Sequence, residues 1–276
     1  MTENATEPVS QPQCEIVVAH YDEDLLWLTP AADIVTVYSK GKPDFSVKPP
    51  PTSFARHITL PNIGRESHTY LYHIVNNYNH LADITLFTQG QVSDHVGTDL
   101  SITDMLHNAR RRLPSERFIV YTKYELKLFD AWSRIPHVKK WKAELQSGGM
   151  RPAKDTPRGF WKWVFGMEAP SVVTFGWGAI FAVSGEAVQQ RPREFYERIL
   201  RVFESINHVN PEEGHYMERF WLNVFVPDSA PVSVIPCLVE NGCHEHEVNE
   251  GKFRWSRSNI GAKGTELNSF GLLTFN

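Results

Sequence analysis

Residues 15–24 read EIVVAHYDED, a short apolar run closed abruptly by three carboxylates in a row. Five residues, mostly apolar and β-branched, bounded by polar ones, are the mark of a buried strand. Ile34–Tyr38 (IVTVY) repeats the pattern and is stopped by Gly41 and Pro43, and His57–Leu60 gives a third, shorter strand. A helix follows over Ser67–Leu81, with Tyr70, Leu71, Ile74, Val75, Tyr78 and Leu81 on one apolar face. Asp83–Thr88 is the next strand. Residues 101–113 read as a helix with Ser101 and Asp104 as a capping box. Arg117–Tyr121 is a strand and 136–146 a basic helix ended by Gly148–Gly149. Val172–Val183 is strand-like, interrupted by Gly176 and Gly178. Pro192 falls where a first helical residue belongs, opening Arg193–Ile206, and a last helix covers Pro211–Phe225 with Asn210 as its N-cap. Short strands are expected at Val232–Ile235 and Leu272–Phe275. Early strands joined by helical crossovers predict a three-layer α/β fold with a mostly parallel sheet and helices on both faces.

The bulk charge of −4 hides a segregation. Residues 105–165 hold 14 Lys/Arg against 5 Asp/Glu, leaving 14 against 27 elsewhere, so the segment is +9 and the remainder −13. Ten of the 33 aromatics lie there, including Trp132, Trp141, Trp161 and Trp163. Cations interleaved with rings suit a polyanion that stacks its bases, or else two helices with solvated basic faces. A polar tail over residues 1–13 is expected to be disordered, ahead of a single catalytic domain over 14–276 with a basic helical insertion at about 101–165. The tail lacks the apolar run of a secretory signal, and no window approaches a membrane span. Three scattered cysteines make no disulfide framework, so the chain reads as soluble and intracellular.

Ligands of such sheets sit beyond the carboxyl ends of the strands. Asp22, Glu23 and Asp24 therefore form a pocket rim for a guanidinium, an ammonium or a metal, unless Asp22 or Asp24 only caps a following helix. In the last helix Glu213 shares the face of Tyr216, Met217, Phe220, Trp221 and Val224, whereas Glu212, His215 and Arg219 point away. Glu213 is then either a cap or a buried acid/base. Ser67 is either an N-cap or a hydroxyl that His68 or Glu66 could activate. There is no G-x-x-x-x-G-K-[ST] loop, so ATP-driven adenylation by a P-loop is not expected, and there is no G-x-G-x-x-G after a strand. Cys237…Cys243-His244-Glu245-His246 matches no zinc pattern, and no metal or other cofactor is expected.

Six stretches carry a resemblance: IVVAHYDEDLLWL (16–28), LPNIGRESHTYLYHIVNNY (60–78), ADITLFTQG (82–90), GAIFAVS (178–184), RPREFYERIL (191–200) and PEEGHYMERFW (211–221). Over about residues 15–225 the chain resembles a fungal family long known only as a domain of unknown function and linked to arginine-containing cyclodipeptide synthases. These condense arginine with a second amino acid from aminoacyl-tRNAs. The motif order is also similar to a glycosyltransferase A-type fold, whose late acidic helix start puts Glu213 in the base position. The metal-binding Asp-x-Asp after the fourth strand is missing, because Phe87–Gln91 reads FTQGQ. What the resemblance implies is a cytoplasmic aminoacyltransferase with charged tRNAs as partners and Glu213, Glu66 and Ser67 as catalytic candidates. His20, Asp22, Glu23, Gln89, Glu212 and His215 become substrate-binding candidates, and Arg110, Arg111, Arg112, Lys139, Lys140 and Lys142 would bear tRNA phosphates. The competing class is a glycosyltransferase taking a sugar nucleotide in the same cleft.

Overall fold

The computed structural model describes residues 13–41, 53–124 and 126–226, and the backbone of three further strands at 232–236, 246–249 and 252–255. The tail, the Cys237–Glu245 run and the strand expected at Leu272–Phe275 lie outside the described residues. The chain starts with β1 (Cys14–His20), a 3-10 segment at Leu26–Ile34, β2 (Val35–Ser39), β3 (Arg56–Thr59), α1 (Arg65–Asn77) and β4 (Ile84–Gln89). It continues through α2 (Ile102–Glu116), β5 (Phe118–Thr122), β6 (Lys127–Phe129), α3 (Lys139–Ser147) and α4 (Pro157–Phe165). Then come β7 (Val173–Phe175), β8 (Phe181–Ser184), α5 (Gly185–Gln189), α6 (Arg193–Ile206) and α7 (Glu212–Phe225). β9 (Val232–Pro236), β10 (His246–Asn249) and β11 (Lys252–Trp255) complete it.

The main sheet has the order β11-β10-β9-β5-β8-β4-β1-β2-β3. β3, β2, β1, β4, β5 and β9 run the same way, and β8 runs against them between β4 and β5. The expected three-layer, mostly parallel architecture is therefore present. Alternate side chains feed two cores, as the period of a strand demands. Val17, Phe87 and Phe181 face α1, α4, α6 and α7, while Ile16, Val18, Val37 and Leu86 face α2 and the 3-10 segment. The capping box on α2 forms as read, with Ser101 accepting from the Asp104 N–H.

Four local expectations change. The Val172–Val183 run is two strands in two sheets, because β7 pairs with β6 and β8 lies between β4 and β5. Its corner passes through left-handed Gly178 (φ 95°) and Ala179 (φ 50°). Pro192 stands one residue earlier, as the N-cap of α6, and Pro211 rather than Asn210 is the N-cap of α7. Pro211 is held extended by a bridge to Arg151, whose N–H donates to Asn210 O and whose carbonyl accepts from the Glu212 N–H. Residues 101–165 are not an insertion throughout, since α2 covers the main sheet and β5 is a strand within it. Among the described residues no helix is long and apolar enough to cross a membrane.

Candidate active site

α1 leaves the carboxyl end of β3 through a tight turn, and its first residues meet the start of α7 at that edge of the sheet. The Gly64 N–H donates to His208 O at 2.8 Å and the Arg65 N–H to Val209 O at 3.3 Å. Gly64 has φ 63°, and a Cβ there would come within 2.8 Å of both His68 and Phe203. Arg65 is also left-handed at φ 52°, a conformation that costs a non-glycine residue about 1–3 kcal/mol. The surroundings fix it there, so its guanidinium projects across the start of α7.

α7 is buried all round, which sequence periodicity did not show. Glu212, His215 and Arg219, expected to face away, are buried along with Glu213. The reason is tertiary: segments 130–138 and 150–155 and strands β6 and β7 cover the side of α7 opposite the sheet. Glu212 Oε1 lies 2.9 Å from His137 Nε2, and Oε2 accepts from the Ala153 N–H at 3.0 Å. Burial pushes the Glu212 carboxyl up, but the His137 and Ala153 hydrogen bonds and the charges of His137 and Arg134 outweigh it and leave it below the ordinary value. Glu213 Oε1 accepts from Arg151 at 3.3 Å, while its buried Oε2 has no hydrogen-bond partner. Beside it is a cleft of about 200 Å³ framed by Arg151, Lys154, Asp155, Trp163, Val202 and Glu213.

On the other side of the α7 start, Arg65 is ringed by polar and aromatic groups. Nε lies 3.4 Å from Glu66 Oε2, one terminal nitrogen donates to Asn210 Oδ1 at 3.3 Å, and the guanidinium stacks 4.8 Å above Trp141. His215 packs edge-on against the same indole at 4.8 Å. Burial, then the charges of Arg65, His137 and Arg219, push its imidazole down to about 2, so it is neutral. Sequence reading missed Lys40, the residue after β2. It is buried, and its Nζ donates to Ile63 O at 2.7 Å and to Arg65 O. Burial lowers its amine to about 7 against the opposing pull of Glu66, with Arg65 lowering it further. A single lysine ending an apolar strand was the available signal.

The remaining candidates divide. Glu66 is buried beside Arg65. Ser67 is fully buried, and its hydroxyl is bonded to neither His68 nor Glu66, nor does it cap a helix, since Gly64 is the N-cap of α1. Burial, with Lys40 nearby, pushes the His68 imidazole down to about 3. In the β1 loop Asp24 accepts from the Leu26 N–H at 2.8 Å, a local turn bond just ahead of the 3-10 segment whose N-cap is Leu25, while Asp22 is exposed. Glu23 accepts from the Tyr21 N–H at 2.7 Å and packs on Gly90, where a Cβ would meet its carboxylate at 2.5 Å. His20 lies 2.9 Å from Ser39 Oγ. Gln89 donates to Gly178 O at 2.5 Å, holding the β7–β8 corner. Among the described residues no three His, Cys, Asp or Glu side chains converge as a metal site.

The basic segment is not one surface. Arg112 is buried and grips Glu116 of its own helix with Nε and a terminal nitrogen at 3.0–3.1 Å, so it is not presented to a phosphate. Arg110 donates to Cys14 Sγ at 3.3 Å, which places Arg110–Arg112 at the amino edge of the sheet, away from the α7 start. Trp132 and Trp161 are core residues packed on Phe220. Lys139, Lys140 and Lys142 are exposed on α3, which has no buried residue, and Lys140 stacks 4.6 Å from Trp141. Only this second group adjoins the carboxyl-edge site.

A model of the family described as Protein of unknown function (DUF3431) matches residues 16–245. The chain belongs to that family. The match spans every strand and helix that builds the site. No curated protein matches the chain.

Proposed function

We propose that the protein is an aminoacyl-tRNA-dependent cyclodipeptide synthase that condenses arginine with a second amino acid, working in the cytoplasm where charged tRNAs are made. The observation that carries this reading is the buried Glu213 carboxylate, with one oxygen unpartnered, at the rim of a 200 Å³ cleft on the carboxyl edge. A cleft of that size is below the ~300–1,000 Å³ usual for drug-sized ligands. It suits an amino-acid moiety better than a sugar nucleotide. Aminoacyl esters are already activated, so the chemistry needs no ATP site.

Glu213 takes a proton from the α-amine of one aminoacyl group as that nitrogen attacks the ester carbonyl of the other. The ester C–O bond breaks, and the departing ribose oxygen takes up the proton. A second attack closes the diketopiperazine and releases the second tRNA in the same way. Holding the two esters side by side supplies much of the rate. Asp22, exposed in the β1 loop, pairs with the arginine side chain in this reading. Arg65, Lys139, Lys140 and Lys142 face the tRNA end.

Incubation with arginyl-tRNA and a second aminoacyl-tRNA should release a cyclic dipeptide visible by mass spectrometry, and RNase should abolish it. Sugar-nucleotide hydrolysis with no product from any charged tRNA would replace this reading with glycosyl transfer.

A further inference from the structure

Three side chains that the cleft does not use meet at the carboxyl ends of β1, β2 and β3. Ser39 Oγ lies 2.9 Å from His20 Nδ1 and 2.7 Å from His57 Nε2. His20 Nε2 lies 3.1 Å from the carbonyl oxygen of Glu23. His20 and Ser39 are register partners across β1 and β2, and His57 pairs with Val37, two residues before Ser39. All three therefore project from one face, opposite the face of Tyr38 and α1. The frame is laddered on both sides, since the Lys40 N–H donates to His20 O and the Leu60 N–H to Ser39 O.

The contacts dictate where the protons are. A carbonyl only accepts, so His20 Nε2 carries hydrogen and donates to Glu23 O. In the neutral imidazole Nδ1 is then a bare lone pair, and it accepts the single proton of Ser39 Oγ. With that proton spent, His57 Nε2 is the donor in the second contact. The result is a half-buried hydroxyl bonded to a base, the base oriented by a third group, and a second imidazole whose N–H fixes Oγ in position. Ser67, the serine singled out by sequence, has none of these.

We propose that Ser39 is a nucleophilic serine that accepts acyl groups from activated esters, with His20 as its general base. Oγ attacks the ester carbonyl carbon while its proton passes to His20 Nδ1. The carbonyl-to-alkoxide bond breaks, and the leaving oxygen takes that proton from His20, leaving an ester on Ser39. His57 keeps its hydrogen bond to Oγ through the attack. Only the identity of the acyl group, the first aminoacyl unit, rests on the synthase reading above. The Ser39 ester then replaces the first tRNA ester in that scheme, so that Ser39 Oγ and not a ribose oxygen takes up the proton when the peptide bond forms.

The test is to treat the full-length protein with an alkyl fluorophosphonate, which needs no tRNA, and to map the adduct by peptide mass spectrometry. Attack on phosphorus releases fluoride and leaves the phosphonyl group on the nucleophile. The adduct is expected on Ser39, absent in Ser39→Ala, and formed about 100-fold more slowly in His20→Ala, the low end of what a positioned base contributes. No adduct on wild type, or an adduct on any other residue, overturns the proposal without relying on how a variant folds. The two readings fail separately. A Ser39 adduct in a protein that makes no cyclic dipeptide removes the synthase and keeps the serine. Cyclic dipeptide made equally by wild type and Ser39→Ala, with no adduct, does the reverse.

Discussion

The adjacent glutamates at the start of α7 have opposite jobs, and substitution separates them. Both Glu212 oxygens are engaged, joining α7 to His137 and to the Ala153 backbone. Glu212→Ala leaves a buried imidazole without its carboxylate, which costs about 3–5 kcal/mol for a broken buried pair. The orphaned Ala153 N–H adds about 1–3 kcal/mol. Against the ~5–15 kcal/mol that holds a typical domain folded, that loss puts the variant at or past the edge of folding. Glu213 is different. Its one contact is a 3.3 Å ion pair to a partly exposed Arg151, and Oε2 is buried without a partner. Glu213→Gln keeps the Oε1 acceptor for Arg151 and removes a charge buried with one oxygen unpartnered, two effects of opposite sign, so it should cost less stability than Glu212→Ala. Turnover should fall about 10²–10⁴-fold as the base is lost. Urea unfolding followed by tryptophan fluorescence reads the first quantity and cyclic-dipeptide release the second. If Glu212→Ala costs less than about 1 kcal/mol, or Glu213→Gln retains near-normal turnover, the division of labour is wrong.

Glu212 also sets an acid limb. Its carboxyl is held below 4.5 in the fold, so the stability it contributes is present above that value and lost as pH falls beneath it. Glu212→Gln should flatten the stability profile below pH 4.5. Lys40 acts at the other end. Its folded amine titrates near 7 against an ordinary 10.5, so the unfolded chain binds the extra proton between those values and wild-type stability rises with pH there. Lys40→Met should remove that slope; a slope unchanged in chemical unfolding at pH 7 to 10 would place the titration elsewhere. Charge reversal at Lys139, Lys140 and Lys142 should weaken tRNA binding and reduce its salt dependence, while reversal at Arg110 and Arg111 leaves both unchanged. Equal effects from the two groups in a filter-binding salt series would contradict their separation to opposite edges. Gly64→Ala should lower stability by 1 kcal/mol or more, because φ 63° and the 2.8 Å approaches to His68 and Phe203 leave a Cβ no place.

The sequence by itself determined the layers. Apolar runs of five residues at 15–19 and 34–38 and a 3.6-residue stripe over 70–81 are local periodicities, and local periodicity fixes which face each element buries. It also pointed to the carboxyl end of β1 and the starts of α1 and α7 as candidate sites. Tertiary structure decided the rest, because contact across the chain leaves no periodic trace. A helical wheel cannot know that His137, Trp141 and Ala153 cover Glu212 and His215 and that β6 and β7 cover Arg219, so it turns all three outward. A run of charge carries no direction in space, so Arg110–Arg112 and Lys139–Lys142 looked like one patch until α2 carried the first to the amino edge. Ser39, His20 and His57 lie 19 and 18 residues apart along the chain, and only parallel pairing of three strands brings them to one oxygen.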